Sequence, residues 1–152
     1  MLAFDIPGGS FLDLFSGSGA IGIEALSRGA RKAVFIENNK KASHCIRENL
    51  KFTRLEEGAT VMECDVFAGL KRLEERREAF DIIFMDPPYT AGYEKPVLEY
   101  LSGSKLVDED TLIVVEAKKE TDFSFLKDLN FKVQKRKEYK TNVHMFLTLG
   151  EK

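Results

Sequence analysis

The chain has 152 residues, 43% of them hydrophobic and 32% charged, with a formal net charge of −2 and an isoelectric point near 5.8. That length suits a single domain able to bury a real core, and no apolar run approaches the roughly 20 residues needed to cross a bilayer. The near-neutral balance excludes binding to nucleic acid by bulk charge and leaves only a local basic patch for that purpose.

Taken in order, strand-like and helix-like stretches alternate. A short lead-in over residues 1–9 has no basic region followed by an apolar segment, so no secretory leader is expected. Residues 11–15 read as a strand, 20–28 as a helix stopped by Gly29, and 32–37 as a second strand. Its continuous apolar run, Ala33 to Ile36, marks a strand buried on both faces. A long amphipathic helix over 40–52 places Ala42, Cys45, Ile46 and Leu50 at helical spacing. A strand over 60–64, a helix over 66–76, a strand over 80–85, a helix over 95–102, a strand over 111–117 and a short helix over 123–129 follow. The rhythm then breaks into two successive strands, 131–139 and 143–149, joined by a turn at 140–142.

Alternation of strands and helices predicts a doubly wound, Rossmann-like α/β domain with a mostly parallel sheet of about seven strands, and the closing pair predicts an antiparallel C-terminal hairpin. Repeats, low-complexity tracts and linkers are absent from the sequence, so residues 1–152 read as one domain. Cys45 and Cys64 are expected as two buried, reduced thiols, which places the protein in the cytoplasm.

The chain is organised around the run from Phe11 to Gly22, where an apolar strand passes through a glycine-rich turn into a helix. Gly17 and Gly19 remove the Cβ atoms that would block a ligand's approach to the backbone, and the next helix begins with unpaired N–H groups. Gly17, Gly19 and Gly22 fit G-x-G-x-x-G, so a dinucleotide is one candidate guest and S-adenosylmethionine the other. Three acids favour the second. Asp13 sits inside the end of the first strand, where it would orient the turn or accept from an ammonium group through water. Glu37 ends the second strand, where a carboxylate accepts both ribose hydroxyls, a feature that both guests share. Asp65 ends the third, where it would accept from an adenine amino group or cap the following helix.

The most specific signal is Asp86-Pro87-Pro88-Tyr89, directly after an apolar strand. Two prolines fix φ at successive positions and remove two N–H donors, leaving a rigid loop of carbonyl acceptors. A carboxylate and a proline carbonyl then accept from one planar NH₂ group and draw its nitrogen toward a nucleophilic geometry. Tyr89 offers a face on which a flipped base stacks. The reaction this arrangement predicts is in-line displacement at a sulfonium methyl, driven mainly by positioning, with Asp86 or water taking the released proton.

The run from Asp13 to Gly19 with Gly22-Ile23-Glu24-Ala25 resembles the cofactor motif of class I S-adenosylmethionine-dependent methyltransferases. With Asp86-Pro87-Pro88-Tyr89, the chain resembles over essentially its whole length the RsmD family of bacterial 16S rRNA guanine-N2 methyltransferases. The resemblance implies cofactor contacts from Asp13, Phe15, Ser16, Gly17, Ser18, Gly19, Glu37, Asn38, Asp65 and Val66, and catalysis by Asp86, Pro87, Pro88 and Tyr89. It implies a monomeric cytoplasmic enzyme that uses S-adenosyl-L-methionine, needs no metal or membrane, and acts on ribosomal RNA of the small subunit or its assembly intermediate. Family members also carry a basic segment and a helix ahead of the first strand, so this chain is expected to be N-terminally shortened. The same loop serves adenine-N6, cytosine-N4 and glutamine-N5 methyltransferases, which stand as alternatives. A nicotinamide-dependent oxidoreductase leaves the Asp-Pro-Pro-Tyr loop unexplained.

Lys118, Lys119, Lys127, Lys132, Lys135, Arg136, Lys137 and Lys140 make the C-terminal third locally basic. They read equally as a phosphate-contacting rim and as lysines that protect an edge strand. Glu116 reads equally as a flank of the substrate pocket and as a structural strand-end charge. His44 and His144 lack metal spacing and are expected to be structural or exposed, and Phe67 and Tyr93 either line pockets or pack in the core.

Overall fold

The computed structural model describes residues 6–88 and 92–150. Seven strands form one sheet in the order β3-β2-β1-β4-β5-β7-β6. The chain divides into two compact units, Met1–Arg72 and Leu73–Lys152.

In the first unit, β1 (Ser10–Leu14) leads into helix α1 (Ala20–Ser27), β2 (Lys32–Ile36), helix α2 (Lys40–Thr53), a 3₁₀ turn (Glu56–Gly58), β3 (Ala59–Met62) and the start of α3 (Val66–Glu74). β1 pairs with β2 and β2 with β3, both parallel, with Leu14 opposite Ile36 and Ile36 opposite Met62. The apolar run of β2 is buried from Ala33 to Ile36, as a strand covered on both faces must be. Two glycines bring helices onto it. A Cβ on Gly22 of α1 would lie 2.4 Å from Phe35 Cε2, and one on Gly69 of α3 would lie 2.6 Å from Ile36 Cδ1.

Helix α2 is turned from its expected orientation. Its buried stripe is Ser43, Ile46 and Leu50, and Cys45 is exposed. The serine takes the inward place because its hydroxyl donates to Lys40 O and to the Glu63 carboxylate, which satisfies a polar atom there. Both cysteines are free, but the expected pair of buried thiols is not found, since Cys64 is only half-buried. Burial nevertheless raises the Cys64 thiol above its ordinary pKa.

The second unit holds β4 (Ile82–Met85), helix α4 (Glu94–Ser102), β5 (Leu112–Lys118), a 3₁₀ helix (Ser124–Leu129), β6 (Phe131–Glu138) and β7 (Asn142–Leu149). The expected short helix over 123–129 is therefore of the tighter 3₁₀ type, the form that brief helical connectors take. β4 and β5 run parallel, whereas β5–β7 and β7–β6 are antiparallel, so the predicted hairpin closes the sheet. β6 is the edge strand. It is exposed from Lys132 onward and its register shifts between Val133 and Lys135, two devices that discourage pairing with another chain.

Candidate functional site

The glycine turn begins with a backbone reversal. Phe15 leaves β1 at φ 60, a left-handed conformation that costs a bulky side chain energy and tends to persist at functional sites. Ser16 N–H still donates to Ile36 O at 3.1 Å, while Ser16 Oγ donates to Asp13 O at 2.7 Å. Gly17 (φ 58) and Gly19 (φ 81) carry the remaining left-handed positions, and Gly19 N–H donates to Ser16 O at 2.8 Å. Gly19 is the N-cap of α1 and has no side chain to cover its first turn. Ser18 is exposed, and its carbonyl accepts from Asn49 Nδ2 of α2 at 3.2 Å.

The three acids sit differently from one another. Asp13 is 2% exposed and lies within β1, opposite Phe35. Glu37 follows β2 and is clamped by backbone: Oε1 accepts from Gly17 N–H at 2.7 Å and Oε2 from Asn39 N–H at 2.9 Å. Each carboxylate oxygen keeps a second lone pair, so the clamp aims Glu37 without exhausting it. Asp65 caps α3, its Oδ2 accepting from Phe67 N–H at 3.0 Å and Ala68 N–H at 3.4 Å. Oδ1 takes no part in that cap, so capping and ligand binding are compatible. Val66 is buried at the start of α3 and Phe67 is half-buried. Asn38 is exposed; its neighbour Asn39, not singled out from sequence, caps α2 by accepting from Ala42 N–H at 2.9 Å.

In the second unit, Asp86 follows Met85, the last residue of β4, which lies opposite Val115 of β5. Asp86 is exposed as a residue, yet protein packed around it withholds enough water, with help from the negative Glu116, to raise its carboxyl pKa to about 6. Pro87 is buried and anchors the loop, whereas Pro88 is exposed. Tyr89 lies outside the described residues.

Glu116 is braced from β7. Its Oε1 meets His144 Nε2 at 2.9 Å and its Oε2 accepts from Asn142 Nδ2 at 3.3 Å. The His144 and Glu116 side chains are only 9% and 17% exposed, so His144 is a structural partner, as expected. His44 is exposed beside Glu48. The basic C-terminal side chains are exposed but partly neutralised locally, because Lys119 and Arg136 both pair with Glu138, at 3.4 and 3.2 Å. Tyr93 is half-buried before α4. No group of three or more His, Cys, Asp or Glu among the described residues is arranged to hold a metal, and no helix among them is long and apolar enough to cross a membrane.

The family described as conserved hypothetical protein 95 matches residues 1–148. The chain belongs to that family. Its relatives bear out the RsmD resemblance. One is YlbH of Bacillus subtilis (strain 168), 38% identical over 115 residues, covering 76% of this chain and 62% of that protein. Another is "Ribosomal RNA small subunit methyltransferase D" of Buchnera aphidicola subsp. Acyrthosiphon pisum, 32% identical over 126 residues, covering 83% of this chain and 63% of that protein. The chain thus spans just under two thirds of these relatives. Among solved structures, a conserved hypothetical protein from Streptococcus pyogenes superposes with a TM-score of 0.81 at 30% identity, covering 95% of this chain and 88% of that one. "Putative methyltransferase yhhF from Escherichia coli" superposes with a TM-score of 0.80 at 26% identity, covering 97% of this chain and 78% of that one. This RsmD-family chain therefore has the mixed, mostly parallel sheet of the methyltransferase fold, with its antiparallel C-terminal strands.

Proposed function

We propose that the chain is the catalytic domain of an S-adenosylmethionine-dependent methyltransferase that modifies the exocyclic N2 amino group of a guanine in small-subunit ribosomal RNA. The observation that carries this reading is the clamp of Glu37 onto Gly17 beside a turn of left-handed glycines. That turn offers exposed backbone to a ligand, and the clamped carboxylate lies where strand-end acids hold ribose in such folds. In this reading Gly17, Ser18 and Gly19 approach the amino-acid tail and ribose, Glu37 takes the ribose hydroxyls, and Asp65 accepts from the adenine amino group. Phe15, Ser16, Asn38 and Val66 line the same site, and Asp13 orients the turn.

Bound S-adenosylmethionine supplies the electrophilic methyl. Asp86 and the Pro87 carbonyl accept from the target NH₂ and make its nitrogen nucleophilic, and Tyr89 stacks on the base. Asp86, with its raised proton affinity, is suited to receive the proton released after transfer. The name of the Buchnera relative supports small-subunit rRNA as the substrate. The protein works as a cytoplasmic monomer and uses no metal.

The test has two stages. Calorimetric titration with S-adenosylhomocysteine should show binding, and titration with NADH should not. Labelled methyl from S-adenosylmethionine should then enter small-subunit rRNA as N2-methylguanine, identified by mass spectrometry of the digested nucleosides. Binding of NADH alone, or methyl found on a different base or on protein, overturns the reading.

A further inference from the structure

We propose that Glu116 is a substrate-reading residue whose carboxylate, braced by His144 and Asn142, forms with Asp86 a pair of adjacent acceptors that selects a base with two adjacent donors. This rests on the proposed methyl transfer to a base amino group and assigns a residue to the choice among bases.

The geometry begins with strand register. Met85 is opposite Val115, so the next residue along each strand brings Asp86 level with Glu116. Neighbouring strands lie about 5 Å apart, and level residues of a parallel pair project to the same face. The electrostatic effect of Glu116 on the Asp86 carboxyl agrees with that placement. On the far side, Glu116 is level with His144, and His144 with Lys137 of β6. A polar row therefore runs from the residue that follows β4 across β5, β7 and β6.

A row of this kind in a mostly apolar sheet needs a reason. Two like charges placed side by side oppose each other and cost desolvation, and two further side chains, His144 and Asn142, are committed to holding one of them still. His144 is itself packed against the Tyr139 ring, with centroids 4.8 Å apart, so the brace is fixed from behind. Replacing such a buried polar set as a whole by apolar residues is often neutral or stabilising, so stability alone does not call for it. The arrangement gains instead if a substrate supplies donors to both acids.

Base edges differ in what they present. Guanine carries a ring N1–H beside its N2 amino group, which makes two adjacent donors. Adenine and cytosine each carry an acceptor ring nitrogen beside the amino group. With Asp86 and the Pro87 carbonyl on the amino group, Glu116 accepts from the ring N–H of guanine and repels the ring lone pair of the others. Sites that pair a substrate donor with a fixed acceptor reject analogues lacking that donor far better than apolar pockets reject a changed size.

The test uses the rRNA nucleotide that the wild-type chain methylates. Splinted ligation replaces that guanine by 2-aminopurine, which keeps the amino group but turns N1 into an acceptor. Wild type should methylate the 2-aminopurine RNA about 100-fold less efficiently than the guanine RNA. Glu116→Gln, whose amide donates as well as accepts, should narrow that ratio to about tenfold or less, while S-adenosylhomocysteine affinity and melting temperature stay near wild type. Asn142→Ala should leave the ratio in the wild-type direction but shrink it, because the brace is loosened. An unchanged ratio in Glu116→Gln, or equal use of both RNAs by wild type, overturns the role of Glu116 and leaves the proposed function standing. Absence of transfer to any RNA despite S-adenosylhomocysteine binding overturns the proposed function, and the role of Glu116 falls with it.

Discussion

Gly17 and Glu37, twenty residues apart in sequence, meet at 2.7 Å where the backbone N–H of the turn donates to the carboxylate. β1 and β2 end side by side, Leu14 opposite Ile36, so the residues just beyond each strand must share one edge of the sheet. The same carboxylate accepts from Asn39 N–H. Glu37 thereby ties the glycine turn to the start of α2.

Glu37→Ala is expected to weaken S-adenosylhomocysteine binding by about 10- to 100-fold. It removes charge-assisted hydrogen bonds to two backbone donors, interactions worth about 1.5–3 kcal/mol each, together with the proposed ribose acceptor. Glu37→Gln keeps one acceptor oxygen and should lose less. Calorimetric titration measures both, and unchanged affinity in the alanine variant would remove Glu37 from the cofactor site.

Gly22→Ala should destabilise the chain by about 1–3 kcal/mol, the range for overpacking a core. The new methyl would sit 2.4 Å from the ring of Phe35, which is fully buried. Phe35→Leu should cost stability by itself but recover part of it when combined with Gly22→Ala. Thermal melting of the two single variants and the double variant tests this, and an additive double variant contradicts the packing argument.

Much of this is legible in the sequence, for reasons that can be named. The run Ala33 to Ile36 has no polar interruption, and only a strand covered on both faces tolerates that. The absence of a helix between residues 131 and 149 announced the antiparallel end of the sheet. What stayed hidden depends on contacts across the chain. The rotation of α2 follows from Ser43 finding Glu63, a partner that helical spacing does not reveal. The left-handed turn of Phe15 runs against the preference of an aromatic residue, and propensity alone predicts the opposite. The brace on Glu116 appears only when β5 and β7 are set in register, because Asn142 and His144 lie more than twenty residues away and carry no motif.

Asn39→Ala should cost about 1 kcal/mol through the lost N-cap of α2, where Asn39 Oδ1 accepts from Ala42 N–H at 2.9 Å. The backbone N–H that feeds Glu37 survives this change, so S-adenosylhomocysteine affinity should stay within about twofold, well under the tenfold that 1.4 kcal/mol represents. A fall in melting temperature without a fall in affinity is the expected pair of results. Loss of affinity would show that the side chain of Asn39 serves the ligand as well as the helix.

Asp86→Asn should abolish methyl transfer, leave S-adenosylhomocysteine binding intact and raise stability at neutral pH. The sign follows from linkage. The folded-state pKa of about 6 lies above the ordinary 3.8 of an aspartate, with desolvation the larger cause and Glu116 the smaller. Below pH 4 the carboxyl is protonated whether the chain is folded or not, and it contributes nothing. Between pH 4 and 6 the unfolded chain releases its proton while the folded chain retains it, so the wild-type protein loses stability across that window and remains penalised above it. The melting temperature of Asp86→Asn should therefore match wild type near pH 4, diverge upward toward pH 6 and run parallel above. Wild-type methyl transfer should rise with pH through the same midpoint as Asp86 becomes able to accept a proton. Melting curves that coincide at pH 7 would show that Asp86 is solvated like an ordinary surface acid and is not crowded by protein and Glu116.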